Sequence, residues 1–260
     1  MALRLKGGGP LPEVGDRLVV GTCDIAGAGV RALLGLVRAD GAPPPAVHEL
    51  ELVSLAAPLS GDDADARAVF VPPGAARNAT PAVSLVRLDT SLSLLAVNAA
   101  TREEDEAPLA AAVLALAARC GHLLIAGALR VDGAEPEAAL HVELGGEARR
   151  GETVKVRDGA LAALFHAARA TGARATCVFV PGHRVSRLGG LEGEPSASEA
   201  EAARATHALG EAVARRLNEN AHANGVGACR YDAGVAGRFR ATRLWRENAG
   251  APAHTDRMYT

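Results

Sequence analysis

Aromatic side chains are scarce in this 260-residue chain: one Trp, two Tyr and four Phe. A surface that stacks on nucleobases needs aromatics interleaved with basic residues. The arginines gathered toward the C-terminus (Arg230, Arg238, Arg240, Arg243, Arg246 and Arg257) have only Tyr231, Phe239 and Trp245 among them. An excess of one charge is lacking too, with 28 Lys and Arg against 30 Asp and Glu and a net charge of -2. Such a chain has no overall basic field to hold it on phosphate backbones or anionic lipid, so neither nucleic acid nor a membrane surface is expected as a partner. Cysteine is sparse and scattered: Cys23, Cys120, Cys177 and Cys229 offer no close pair of the kind that holds zinc or runs a redox cycle, which leaves buried free thiols. No apolar run approaches the ~18 residues of a membrane span. The start, Met1 to Lys6 followed by three glycines, lacks the apolar core of a secretory signal, so a cytoplasmic and also nuclear location is expected. No repeat of fixed period runs through the chain.

What the chain does have is 48% hydrophobic and 22% charged residues, enough to bury a core, and much alanine, which favours helices. Arg17 to Cys23 is a short β-branched apolar run that reads as a buried strand, with a helix expected from Gly29 to Arg38. Residues 47–56 alternate polar and apolar side chains as a half-exposed strand does, and further strands are expected over 66–71, 82–88 and 92–98. The acidic run 102–106 leads to Pro108 and a helix over 108–120, since carboxylates and a first-turn proline suit a helix start. Strands over 122–131, 141–144 and 173–180 alternate with a helix capped by Asp158 and ending at Gly172, and with a long helix over 197–218 opened by Ser196 and Ser198. This alternation specifies an α/β fold: a three-layer sandwich with a central mixed β-sheet flanked by helices. The expected organisation is a flexible N-terminus over 1–16, one domain over 17–218, and a flexible C-terminal extension over 219–260.

Candidate chemistry is thin. Gly27-Ala-Gly29-Val-Arg-Ala32 resembles the turn that carries a dinucleotide pyrophosphate at a helix N-terminus, with Glu49 or Glu51 as the acidic residue for the ribose. The other reading is a strand-to-helix turn with close packing. The eight histidines lack metal-ligand spacing, although His183, after Pro181-Gly182, stands at the carboxyl end of a strand, where open sheets hold ligands. No serine sits in a nucleophile elbow, and carboxylates in the acidic run point apart from their neighbours, as a solvated helix entrance does. The chain is therefore not expected to be an enzyme, nor to need a metal or other cofactor. A nucleotide- or nucleoside-using α/β enzyme built on the Gly27–Gly29 turn is the alternative.

The C-terminus ends in an apolar residue, an amphipathic aromatic and a free carboxylate: Met258, Tyr259 and Thr260. A mobile peptide of this kind suits capture in a pocket with a cation or backbone donors. The tail and the body together resemble the first subunit of the heterodimeric proteasome assembly chaperone, a family whose members end in a hydrophobic residue, tyrosine and one last residue. Arg17 to Thr22 resembles its first core strand. Residues 92–98, the helix from Pro108 and residues 122–131 resemble its central strand, helix, strand order, and residues 158–165, 177–180 and the helix from Ala197 its last crossover and closing helix. The resemblance implies a chaperone without enzymatic activity, metal or nucleotide. It implies pairing with a second chaperone subunit as a heterodimer and binding to 20S proteasome α subunits during α-ring formation. Met258, Tyr259 and Thr260 would then be an anchor, a wedge and a carboxylate in a pocket between α subunits.

Overall fold

The computed structural model describes residues 3–5, 7–24, 27–41, 47–52, 70–71, 83–98, 103–129, 139–144, 156, 159–182, 197–219, 228–237 and 240–241. Along the chain these form β1 (Leu3–Leu5), β2 (Arg17–Thr22), α1 (Ala28–Leu34), β3 (Leu36–Arg38), β4 (Val47–Leu52), β5 (Phe70–Val71), β6 (Val83–Arg87) and β7 (Leu92–Val97). There follow α2 (Glu103–Ala117), β8 (His122–Leu129), β9 (Leu140–Leu144), α3 (Gly159–Ala170), β10 (Ala175–Pro181), α4 (Ala197–Glu219), β11 (Cys229–Tyr231), α5 (Ala233–Ala236) and β12 (Arg240–Ala241).

Eight strands form one mixed sheet in the order β1-β4-β6-β7-β2-β8-β10-β9. Its centre is parallel: β7 and β8 flank β2, and β10 lies beyond β8. β1, β4 and β6 extend it antiparallel on one side and β9 on the other. Central strands are apolar on both faces because both faces are covered, so they read in the sequence as unbroken hydrophobic runs. Leu18 and Val20 of β2 belong to the core shared with α2 and α3, whereas Val19 between them faces the core shared with α1 and α4. β8 divides in the same way, Leu123 and Ile125 against Leu124 and Ala126. The buried stripe of α4, Ala202, Ala205, Leu209, Ala212, Val213 and Leu217, recurs at helical spacing and lies on the sheet. This is the three-layer α/β arrangement expected, with the sheet mixed.

Several expectations shift. Residues 3–5, read as part of a flexible start, pair with β4, and Leu3 is 3% exposed. α1 ends at Leu34 and not at Arg38: the Gly35 N–H closes the last turn on the Arg31 and Ala32 carbonyls, and Leu36–Arg38 leave to pair with Cys229–Tyr231. α2 begins at Glu103, with Pro108 inside it. A proline there costs one backbone bond to the preceding turn, while four carboxylates in the first turn favour the positive helix end. Residues 228–237, assigned to the loose extension, are anchored to the body: the Asn218 side chain donates to the Cys229 carbonyl (2.8 Å) and accepts from its N–H (3.0 Å). The Tyr231 ring lies 8% exposed beside Gly35 and Gly210, where an added Cβ would come within 2.6 and 2.1 Å of it. Asp158, Ser196 and the side chain of Ser198 lie outside the described residues.

Candidate functional site

In open α/β sheets ligands collect at the carboxyl ends of the parallel strands, where the covering helix changes face. Here that place is the end of β2, since α1 leaves it on one face while α2, after β7, covers the other. The chain turns through Gly27, at φ 62, a left-handed conformation that favours glycine, and α1 starts. The carboxylate of Asp24, 0% exposed, occupies the start of the helix. Its Oδ1 accepts from the Ala28 N–H at 2.8 Å, and its Oδ2 accepts from Gly29 at 2.8 Å and from Ala128 at the end of β8 at 2.6 Å. One side chain thus ties β2, α1 and β8 together and satisfies N–H groups that a helix start leaves open. Gly29 lacks a side chain because a Cβ would lie 2.7 Å from the Thr22 carbonyl oxygen and 2.9 Å from that of Ala126.

This geometry answers the question raised by the Gly27–Gly29 motif. A pyrophosphate at the start of α1 would meet a buried carboxylate already bonded to the donors it needs. The acidic partner fails as well: Glu49 and Glu51 lie on β4, which is separated from β2 by β6 and β7. At the usual strand spacing that is about 14 Å away across the sheet. The glycines serve close helix–strand packing.

A second polar assembly crosses the opposite, N-terminal ends of the parallel strands. Thr176 of β10, 0% exposed, donates its hydroxyl to Glu143 Oε2 on β9 at 2.8 Å. It lies 2.9 Å from His122 Nε2 on β8, so that nitrogen carries the proton. Arg216 of α4 pairs with Glu143 and, at 3.0 Å, with Glu219. Burial lowers the His122 pKa, against the opposing charge of Glu143. The Thr176 hydroxyl is sealed from solvent and engaged on both sides, so the row works as a tie between the sheet edge and α4. Nothing local announces it in the sequence, because its members stand far apart along the chain and meet only through strand pairing and the lie of α4. Beside it, β9 and α4 bound a groove of about 680 Å³, lined by alanines together with His141, Arg204, His207, Glu211 and Arg215.

None of the four cysteines is in a disulfide. Burial pushes the Cys177 thiol up to about 12 and that of Cys229 to about 11, and it raises Cys120 as well. The thiolate, which is the nucleophile, is therefore suppressed. In the acidic run, Glu106 reaches α3: its carboxylate lies over Gly159, the first residue of that helix, where it meets the positive end of the dipole. Among the described residues no group of three or more His, Cys, Asp or Glu side chains could hold a metal ion, and no helix is long and apolar enough to cross a membrane. Met258, Tyr259 and Thr260 lie outside the described residues, as does His183.

No protein-family profile and no curated protein sequence matches the chain. Solved structures do. Pyrococcus furiosus PbaA, described as an archaeal homolog of proteasome-assembly chaperone, shares 12% identity over 85% of this chain and 92% of its own, with a TM-score of 0.48. A PAC2 family protein from Streptomyces avermitilis shares 17% over 85% and 90%, with a TM-score of 0.43. A Mycobacterium tuberculosis proteasome-assembly chaperone homologue shares 14% over 77% and 85%, at 0.39.

Proposed function

We propose that this protein is an assembly chaperone of the 20S proteasome, which pairs with a second chaperone subunit, binds α subunits while the α ring forms, and docks its C-terminal tail in a pocket between neighbouring α subunits. The observation that carries the reading is the terminal triplet Met258, Tyr259 and Thr260 on a body that runs in the order the resemblance requires. β7, α2 and β8 stand where the central strand, helix and strand are expected; α3, β10 and α4 stand where the last crossover and closing helix are expected. The body acts as a rigid carrier, Met258 as an apolar anchor, Tyr259 as a ring with a hydroxyl to place, and the Thr260 carboxylate as the partner of a pocket cation. Cytoplasm and nucleus are the compartments in which this work is expected. A dinucleotide-using enzyme is the reading that Asp24 and the position of β4 disfavour.

Binding of the N-terminally tagged chain to purified proteasome α subunits tests the proposal. Tyr259→Ala removes an aromatic anchor of the kind that carries about 2 kcal/mol in a desolvated pocket, so affinity should fall roughly 30-fold. Residues appended after Thr260 should be nearly as harmful, since they displace the carboxylate. Deletion of Met258 to Thr260 should leave the melting temperature unchanged. Equal binding by intact, truncated, substituted and extended chains would remove the tail from the mechanism.

A further inference from the structure

The two ends of the sheet are unequal. β1 closes one end with only three residues, the centre one an arginine. β9 closes the other with five, Leu140-His-Val-Glu-Leu144, and among the described residues it has a strand, β10, on one side only. An open edge presents a row of unpaired N–H and C=O groups, which proteins usually guard with proline, lysine, a bulge or extreme shortness. Neither proline nor lysine occurs in β9. Its apolar residues Leu140, Val142 and Leu144 are only half-buried against the core shared with α2 and α3. On the other face stand His141, opposite Val178, and Glu143, opposite Thr176, next to the groove along α4.

We infer that β9 is a self-association edge, on which a second copy of this chain lays its own β9 antiparallel and makes the two sheets continuous. The sequence of the strand is complementary to itself. A two-fold axis through the sheet keeps each face on its own side, and the one register that pairs all five residues is centred on Val142. Leu140 then lies opposite Leu144 of the second copy, and His141 opposite Glu143 of the second copy, each pair occurring twice. Apolar pairs fall on one face and pairs of histidine with carboxylate on the other, the arrangement that stabilises cross-strand neighbours. Closed two-fold pairing of like surfaces is also the commonest form of oligomer. This inference stands apart from the chaperone reading, and its test contains no proteasome subunit.

Sedimentation equilibrium of the full chain is expected to show a dimer. His141→Glu, on an exposed side chain, sets a carboxylate opposite Glu143 twice across the axis and should raise the dimer dissociation constant roughly 30-fold. Val142→Cys should give a covalent dimer on mild oxidation, since position 142 meets its own copy at the axis. Val47→Cys, at an exposed position on a strand inside the sheet, should not. Matching far-UV circular dichroism establishes that the variants fold. A chain that stays monomeric at about 100 µM overturns the inference, as does a dimer that His141→Glu leaves intact and Val142→Cys fails to link.

Discussion

Asp24→Ala is the substitution from which the fold predicts most. The carboxylate is fully buried and accepts three backbone N–H bonds at 2.6–2.8 Å, two from the start of α1 and one from the end of β8. Alanine deletes the acceptor and leaves three donors facing one another in a space closed to water. A buried donor without a partner costs about 1–3 kcal/mol. Some local opening to solvent will soften the penalty, so a loss of about 3–6 kcal/mol is expected, with no lost hydrophobic contact to account for it. Domains are commonly stable by only 5–15 kcal/mol, so the variant should sit near the limit of folding. Asp24→Asn, which keeps one accepting oxygen, should cost roughly half as much. Urea unfolding followed by circular dichroism measures the effect, with a lower midpoint and an unchanged slope if the native state alone is affected. The same preparation can be titrated with NAD(H) in a thermal-shift assay, where stabilisation of the wild-type chain would revive the dinucleotide reading. An Asp24→Ala protein within about 1 kcal/mol of wild type would refute the assignment of Asp24 as the structural cap of α1 and β8.

Gly210→Ala should destabilise by about 1–3 kcal/mol despite alanine's better helix propensity, because its Cβ would stand 2.1 Å from the Tyr231 ring. In a Tyr231→Ala background the same change should cost little, and additive losses in the double variant would show that the ring does not set the requirement. With a thiol reagent near pH 8, half-buried Cys120 should react before Cys177 and Cys229, whose pKa values of about 12 and 11 keep them protonated until urea opens the core. Immediate modification of all cysteines in the native protein would contradict the burial.

The central strands β2, β8 and β10 and the long helix α4 were legible in the sequence, because a strand covered on both faces is one apolar run and a helix covered on one face repeats its apolar residues every three or four positions. Those signals are local, and a chain carries them wherever it folds. Sheet order, and with it every site that depends on neighbours, is not written locally. Leu36–Arg38 continue the helical pattern of α1 and become a strand only because Cys229–Tyr231 lie beside them. The glycines at 27 and 29 suit a phosphate turn or a packing contact equally well until Asp24 is seen to bond to Ala128, 104 positions away. His122, Glu143, Thr176 and Arg216 look unrelated until β8, β9, β10 and α4 bring them into one row. The sequence by itself therefore determined the central strands and the long helices, since propensity and patterning act over a few residues. Only the tertiary structure decided which glycines, carboxylates and edges meet, because those contacts are selected by the global packing of the sheet and its two helical layers.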